Sequence, residues 1–164
     1  MMKSTALNGQ EIILTAEGYA RLEKELEHLS KVERKAVADR IREAKDFGEL
    51  TENAEYEDAK SEQAIIEGRI LELRQILSQA VILKEEDIST EHVSIGSYVR
   101  VRDLDTGEEW KFRMVSPFEA DPDEDRLSNE SPIGEALLGH KVGDVVEANI
   151  PAGKVRYQIL DIRK

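Results

Sequence analysis

The residues of this chain best suited to chemistry crowd into one short stretch, Asp46-Phe47-Gly48-Glu49-Leu50-Thr51-Glu52-Asn53-Ala54-Glu55-Tyr56. Carboxylates three apart around a turn can converge on one hard cation such as Mg²⁺, which takes oxygen ligands in near-octahedral geometry and keeps several waters. Glu49 and Glu52 have that spacing. Acids before and inside the first turn of a helix also complement its dipole, by about 0.3 to 1 kcal/mol each, so a helix start would look acidic in any case. Spacing alone leaves both readings open. Two glutamates do not complete a coordination shell, so an autonomous metal nuclease is a poor reading. The rest of the chain adds no self-sufficient chemistry. There is no cysteine, no Gly-rich phosphate loop and no dinucleotide fingerprint, no serine has a plausible catalytic histidine partner nearby in sequence, and His28, His92 and His140 are scattered singly.

The stretch joins two helical patterns. From Thr15 to Asp46 there is no proline, and Tyr19, Leu22, Leu26, Leu29, Val37, Ile41 and Ala44 recur largely at three- and four-residue steps. Thr15 suits an N-cap with Glu17 in the first turn, and Gly48 marks a stop. A second run starts after Thr51 or Asn53 and carries Ala59, Ile66, Ile70, Leu73, Leu77 and Ala80 on one stripe. Two helices of about 30 residues with so short a connection must lie antiparallel, each roughly 45 Å long. The acidic stretch is then the tip of a coiled-coil hairpin. Seventeen acids against twelve bases over residues 1–79 are what a solvated coiled-coil exterior carries.

After residue 80 the pattern changes to short apolar runs, VSIGSYVRV, EWKFRMVS, VVEANI and VRYQILDI, separated by Gly, Pro, Asn or Asp. These read as strands, with Trp110 beside Phe112 in the core. Ser131 to Lys141 reads instead as a short helix, with Ser131 capping, Pro132 at the first helical position and Gly139 ending it. The expected class is α+β: a helical hairpin over residues 1–79, then a small antiparallel sheet with one short helix over 80–164.

Composition bounds the partners. A formal net charge of −12 repels a nucleic-acid backbone at long range unless basic residues cluster locally, so free DNA or RNA is a poor main partner. The N-terminus lacks a long apolar segment with a cleavage site, and no run of about 18 apolar residues occurs, so the chain reads as soluble, unprocessed and cytoplasmic, with no membrane partner. A hydrophobic seam satisfied within the hairpin removes one reason to dimerise, and a monomer is expected.

The tip FGELTENAEYEDAKSEQ, preceded by LTAEGYARLEKELEHL and followed by SPIGEALLGHKVGDVV, resembles the bacterial transcript cleavage factors of the GreA/GreB family, and the acidic balance resembles the GreA branch better. The resemblance implies an N-terminal coiled-coil hairpin and a C-terminal FKBP-like domain. It also implies docking of that domain at the secondary channel of bacterial RNA polymerase, with the hairpin entering the channel. There the tip acids help bind a second Mg²⁺ shared with the polymerase active site and position the attacking water, so that the polymerase hydrolyses its own backtracked RNA. The factor is then not itself an enzyme and binds no metal stably when free.

The family's tip pattern G-D-L-x-E-N-x-E-Y falls on Gly48, Glu49, Leu50, Glu52, Asn53, Glu55 and Tyr56. Glu49 and Glu52 carry the catalytic and metal roles, and Asn53, Glu55 and Tyr56 support the tip. Glu49 replaces the family's usual Asp. Two-metal hydrolysis holds its ions roughly 3.5 to 4 Å apart, so the extra methylene implies reduced or retuned activity rather than none. The family's basic residues that guide the RNA 3′ segment fall on Lys45 and Lys60, which read equally well as solvated helix-face lysines. Asp121, Ser131 and Pro132, with Glu119 and Ala120 nearby, match segments near the polymerase-docking surface, although Ser131 reads first as a helix start. Other readings share parts of this pattern. A Gre-like paralogue could dock in the same channel and inhibit the polymerase, or the hairpin could serve a non-catalytic adaptor. A prolyl isomerase is disfavoured by the few aromatics available to line a proline pocket.

Overall fold

The computed structural model describes residues 11–46 and 53–164. Its elements run β1 (Ile12–Leu14), α1 (Ala16–His28), a π turn (Leu29–Glu33), α2 (Arg34–Lys45), α3 (Ala54–Gln79), β2 (Ala80–Ile82), β3 (Tyr98–Asp103), β4 (Glu109–Val115), β5 (Arg126–Ser128), α4 (Pro132–Leu137), β6 (Val145–Ile150) and β7 (Gly153–Arg163). The architecture is α+β, as expected. Contacts divide it into two units, one containing Tyr19–Ala80, the other Ile12–Gly18 with Val81–Lys164. The segment Ile12–Gly18, placed with the hairpin by a boundary at 79/80, therefore clusters with the sheet. No helix among the described residues is long and apolar enough to cross a membrane.

The first unit is the hairpin. Ion pairs link Arg34 to Glu67 and Arg40 to Glu62, each at 2.7 Å, and Arg69 to Glu25 at 2.7 Å. Partners on α3 fall in number as those on the first arm rise, so the arms run antiparallel. Exposed pairs of this kind contribute little to stability singly, and the seam does the holding. Val37, Ile41, Ala59, Ile66 and Ile70 are buried there, with Leu26, Leu29 and Tyr56 packed against them. Ile76 is buried and Leu77 only half-buried, because the stripe steps by three from Leu73 rather than by four. Ala80 begins β2 instead of continuing the helix.

The π turn explains how one stripe serves the whole first arm. Leu29 and Val37 are eight residues apart, one more than a heptad, and an extra residue in a continuous α-helix would rotate everything beyond it by about 100°. The wider turn over Leu29–Glu33 absorbs that residue, with the Arg34 N–H donating to the Leu29 carbonyl. Val37 and Ile41 return to the seam, and Val32 is left exposed.

In the second unit the sheet order is β5-β4-β3-β7-β6. β3 pairs antiparallel with β4 (Val101 opposite Trp110) and with β7 (Val101 opposite Ile159), and β6 pairs antiparallel with β7. β5 alone runs parallel, to β4, which departs from the all-antiparallel sheet expected. The reason is the connection, since the chain crosses through two 3₁₀ turns, Pro117–Glu119 and Pro122–Glu124, instead of a tight hairpin. Val99, Val101, Phe112, Met114 and Ile159 alternate inward to form the core with Leu137 of α4, and Trp110 packs at its edge.

β1 pairs with β2, and Leu83 N–H donates to the Leu14 carbonyl at 2.8 Å. Beside this pairing lies a buried carboxylate, Glu119. One of its oxygens accepts from the Thr15 N–H and the other from the Thr15 hydroxyl, both at 2.7 Å. The same hydroxyl accepts from the Gly18 N–H at 3.0 Å, so Thr15 caps α1 while donating to Glu119. A Cβ on Gly18 would overlap the Glu119 carboxylate, which accounts for a glycine in a helical first turn.

Two outcomes follow for stability. Gly18→Ala, expelling the carboxylate, and Glu119→Gln, turning an amide N–H toward a donor, are each expected to cost about 1–3 kcal/mol in urea unfolding. Deleting Val32 restores a seven-residue step and should shift stability by less than about 1 kcal/mol. Deleting Gly68, exposed and uncrowded in α3, throws Ile70 and Leu73 off the seam and should cost more than about 2 kcal/mol. Equal costs for the two deletions would refute the phase-correcting role of the π turn.

Candidate functional site

The hairpin closes between the last turn of α2 and the first turn of α3. α2 ends with the Asp46 N–H shared between the carbonyls of Arg42 and Glu43, at 3.3 and 3.2 Å. Gly48, Glu49, Leu50 and Glu52, on which the metal reading rests, lie outside the described residues.

Asn53 makes the join. Its backbone is extended (φ −88°, ψ 98°), and its side-chain oxygen accepts from the Tyr56 N–H at 3.1 Å, so it rather than Thr51 caps α3. Its amide nitrogen donates to the Ala44 carbonyl at 2.6 Å. That carbonyl is among the last four of α2, where the helix does not continue, and it shares the single N–H of Asp46 with the carbonyls of Arg42 and Glu43. One side chain thus satisfies an orphan donor of one helix and an under-served acceptor of the other. An aspartate would cap as well and could not donate. Tyr56, half-buried, packs on the seam directly beneath this join.

Charge is disposed around the join as follows. Glu55 and Glu57 are exposed in the first turn of α3. Arg40 is raised above the usual guanidinium range by its hydrogen bond to Glu62, then by that residue's charge, with Glu55 and Asp58 adding to the field. Lys45, in the last turn of α2, is exposed, and Lys60 is exposed with its ammonium 3.5 Å from the Gln63 side-chain oxygen. Both lysines lie on the hairpin within the turns that flank the acidic stretch. Among the described residues no three carboxylates or imidazoles gather to hold a metal. His28 and His140 each face one carboxylate, Glu33 at 3.1 Å and Asp144 at 3.0 Å, and the π turn makes the first of these pairs possible at a five-residue spacing.

The docking candidates lie at the two ends of β5. Before it, Asp121 exchanges two backbone hydrogen bonds with Arg126 (2.9 and 3.0 Å), and one carboxylate oxygen accepts from the Asp123 N–H at 3.2 Å. After it, the Ser131 hydroxyl donates to the Ser128 carbonyl at 2.8 Å and accepts from the Gly134 N–H at 3.0 Å. A Cβ on Gly134 would overlap that same Ser128 carbonyl, so the turn is tightly built. Pro132 is exposed at the first position of α4. Glu119, by contrast, is committed to Thr15 and buried. Sequence reasoning missed that role because the partner is 104 residues away. It also missed the second bond of Asn53, for which the only signal was an amide where an aspartate would cap equally well.

Asn53→Ala, losing both bonds, should cost the hairpin about 1–2 kcal/mol. Asn53→Asp, keeping the cap and losing the bond to Ala44, should cost roughly half as much. Thermal melts of the two variants at neutral pH measure the difference, and equal losses would assign the whole effect to the cap.

Comparison with known proteins agrees with this geometry. Residues 12–82 match the family described as transcription elongation factor, N-terminal, and residues 88–164 match transcription elongation factor, GreA/GreB, C-terminal. The chain is 50% identical over 155 residues to the transcription elongation factor GreA of Acetivibrio thermocellus, covering 94% of this chain and 98% of that one. It is 53% identical over 155 residues to the GreA of Alkaliphilus oremlandii, with the same coverage. Among solved structures it is similar to GreA factor homolog 1 of Thermus thermophilus, at 36% identity over 94% of this chain and 100% of that one, with a TM-score of 0.45. Family matches over both units, together with relatives at half identity along nearly the whole length, establish that this chain belongs to the GreA/GreB family of transcription elongation factors.

Proposed function

We propose that the protein enters the secondary channel of bacterial RNA polymerase and stimulates the polymerase's own hydrolysis of backtracked RNA. The observation that carries this reading is the position of the acidic stretch. It connects α2 to the Asn53-capped start of α3, between two antiparallel arms whose outer faces carry exposed charged residues.

Glu49 and Glu52 supply hard oxygen donors, the ligand type that Mg²⁺ prefers, and would hold the ion jointly with polymerase carboxylates. When bound, that ion lowers the pKa of a coordinated water and neutralises charge on the phosphate under attack. The chain's own residues orient and support. Asn53 fixes the two helix ends that bracket the acids, Tyr56 anchors the first turn of α3 to the seam, and Glu55 adds negative charge beside them. Lys45 and Lys60 are exposed on the flanking turns, where an ammonium can meet the phosphates of the RNA 3′ segment. Docking through the second unit would use Pro132 and Asp121, with Ser131 shaping the turn that presents Pro132. The factor works in the cytoplasm as a monomer.

Cleavage of RNA in a stalled, backtracked polymerase complex tests the proposal. Stimulation is expected with the protein, and none on naked RNA without polymerase. Glu49→Gln and Glu52→Gln should abolish stimulation while polymerase binding and melting stay nearly unchanged, Glu57→Gln should be close to silent, and Glu55→Gln intermediate. Glu49→Asp should cleave equally well or faster, chiefly at low Mg²⁺, where ion occupancy limits the rate. Binding without stimulation by the wild-type protein would instead favour an inhibitory or adaptor role.

A further inference from the structure

The chain carries a formal charge of −12, yet its sheet presents a basic face. Cross-strand register places Arg113, Tyr98 and Arg163 in one row across β4, β3 and β7, and Lys111, Arg100 and Asp161 in the next. These alternate with the inward residues Val99, Val101 and Phe112, so they share the solvent side. Arg102 continues the face along β3. Glu109 is its main counter-charge, and this one carboxylate serves both Arg102 (2.8 Å) and Arg100 (2.9 Å), which hold it below the usual carboxylate range. Asp161 pairs with Arg163 at 2.6 Å, and Glu17 pairs with Arg113 at 3.1 Å. One carboxylate shared by two guanidiniums leaves a positive charge over, and Lys111 has no ion-pair partner among the described residues. Excess cation at the centre of one face of an acidic protein is the electrostatic footprint of a polyanion site.

The shape favours a nucleic acid over an acidic polypeptide. Tyr98, Arg100, Lys111 and Arg163 line a shallow hollow of about 150 Å³ together with one carboxylate, Asp161, which is paired with Arg163. The Tyr98 ring is 48% exposed, with the Arg113 guanidinium 4.7 Å above its centroid on one side. The cation seats one face of the ring, and the side chain keeps enough exposed surface to meet a planar partner. Guanidinium forks match phosphate oxygens, and an aromatic ring set among them can stack a base, the two requirements for binding a single strand without sequence preference. We propose that the solvent face of β3, β4 and β7 binds the sugar-phosphate backbone of single-stranded nucleic acid, with one base stacked on Tyr98. This site is separate from the hairpin and does not rest on the transcript-cleavage reading.

Fluorescence anisotropy of a labelled 12-nucleotide oligouridylate with the full-length protein tests it. Binding is expected at 50 mM salt with Kd on the order of 10–100 µM, weakening with a log–log salt slope of about −2, which corresponds to three phosphates. Lys111→Glu should weaken binding at least tenfold and Tyr98→Ala several-fold, while Lys141→Glu, away from this face, should change it less than twofold. Polyglutamate at equal charge concentration should not displace the oligonucleotide. Absence of binding at 50 mM salt, an unchanged Kd for Lys111→Glu, or displacement by polyglutamate would each overturn the proposal. So would loss of binding in a Lys45→Glu/Lys60→Glu double variant that retains the Lys111 face.

Discussion

A buried carboxylate must have both oxygens occupied, and in this protein Thr15, 104 residues away in sequence, bonds both oxygens of Glu119. Thr15 donates its N–H and its hydroxyl, and Gly18 supplies the space. The arrangement ties together the turn after β4 and the entry of the chain into α1. Removing any partner leaves a desolvated polar group, so the three residues stand or fall as a unit. The first turn of a helix that goes on to form the hairpin is thereby built inside the sheet-bearing unit.

At the other end of the same arm a related solution recurs with weaker groups. Asn53 completes the termini of two helices with one amide, and Tyr56 carries that join down to the apolar seam. Between these ends, geometric phase matters more than any polar contact. The arm is long enough for a one-residue mismatch to carry the stripe off the seam, and the π turn corrects it where Leu29 hands over to Val37. The salt bridges along the flanks select which residues face each other more than they hold the arms together.

Much of this was legible in the sequence, and what was not has definite reasons. The helices, the Thr15 and Ser131 caps and strands β3, β4, β6 and β7 follow from periods of 3.6 and 2 sustained over several turns or pairs. β1, β2 and β5 have three residues each, too few to show a period, and the parallel pairing of β5 depends on a crossover that no local pattern encodes. The eight-residue step from Leu29 to Val37 was visible, but a step of eight is also what a continuous helix with one skipped contact would show. At the tip, residue types disclosed the family. They did not disclose that Asn53 donates as well as accepts, because a cap explains an asparagine without a second bond.

The placement of β1 has a consequence for synthesis. Ile12 and Leu14 are made before β2, their pairing partner, which follows only after the whole hairpin, and Glu119 arrives 104 residues behind Thr15. At about 5–20 residues per second that wait is roughly 5–20 s, during which two apolar side chains destined for full burial stay uncovered. The hairpin, complete in sequence well before Glu119 is made, can form in the interval and shorten the loop that must close. A hairpin that folds first thus brings the two ends of that loop together, so that β1 can meet β2 before Glu119 is made.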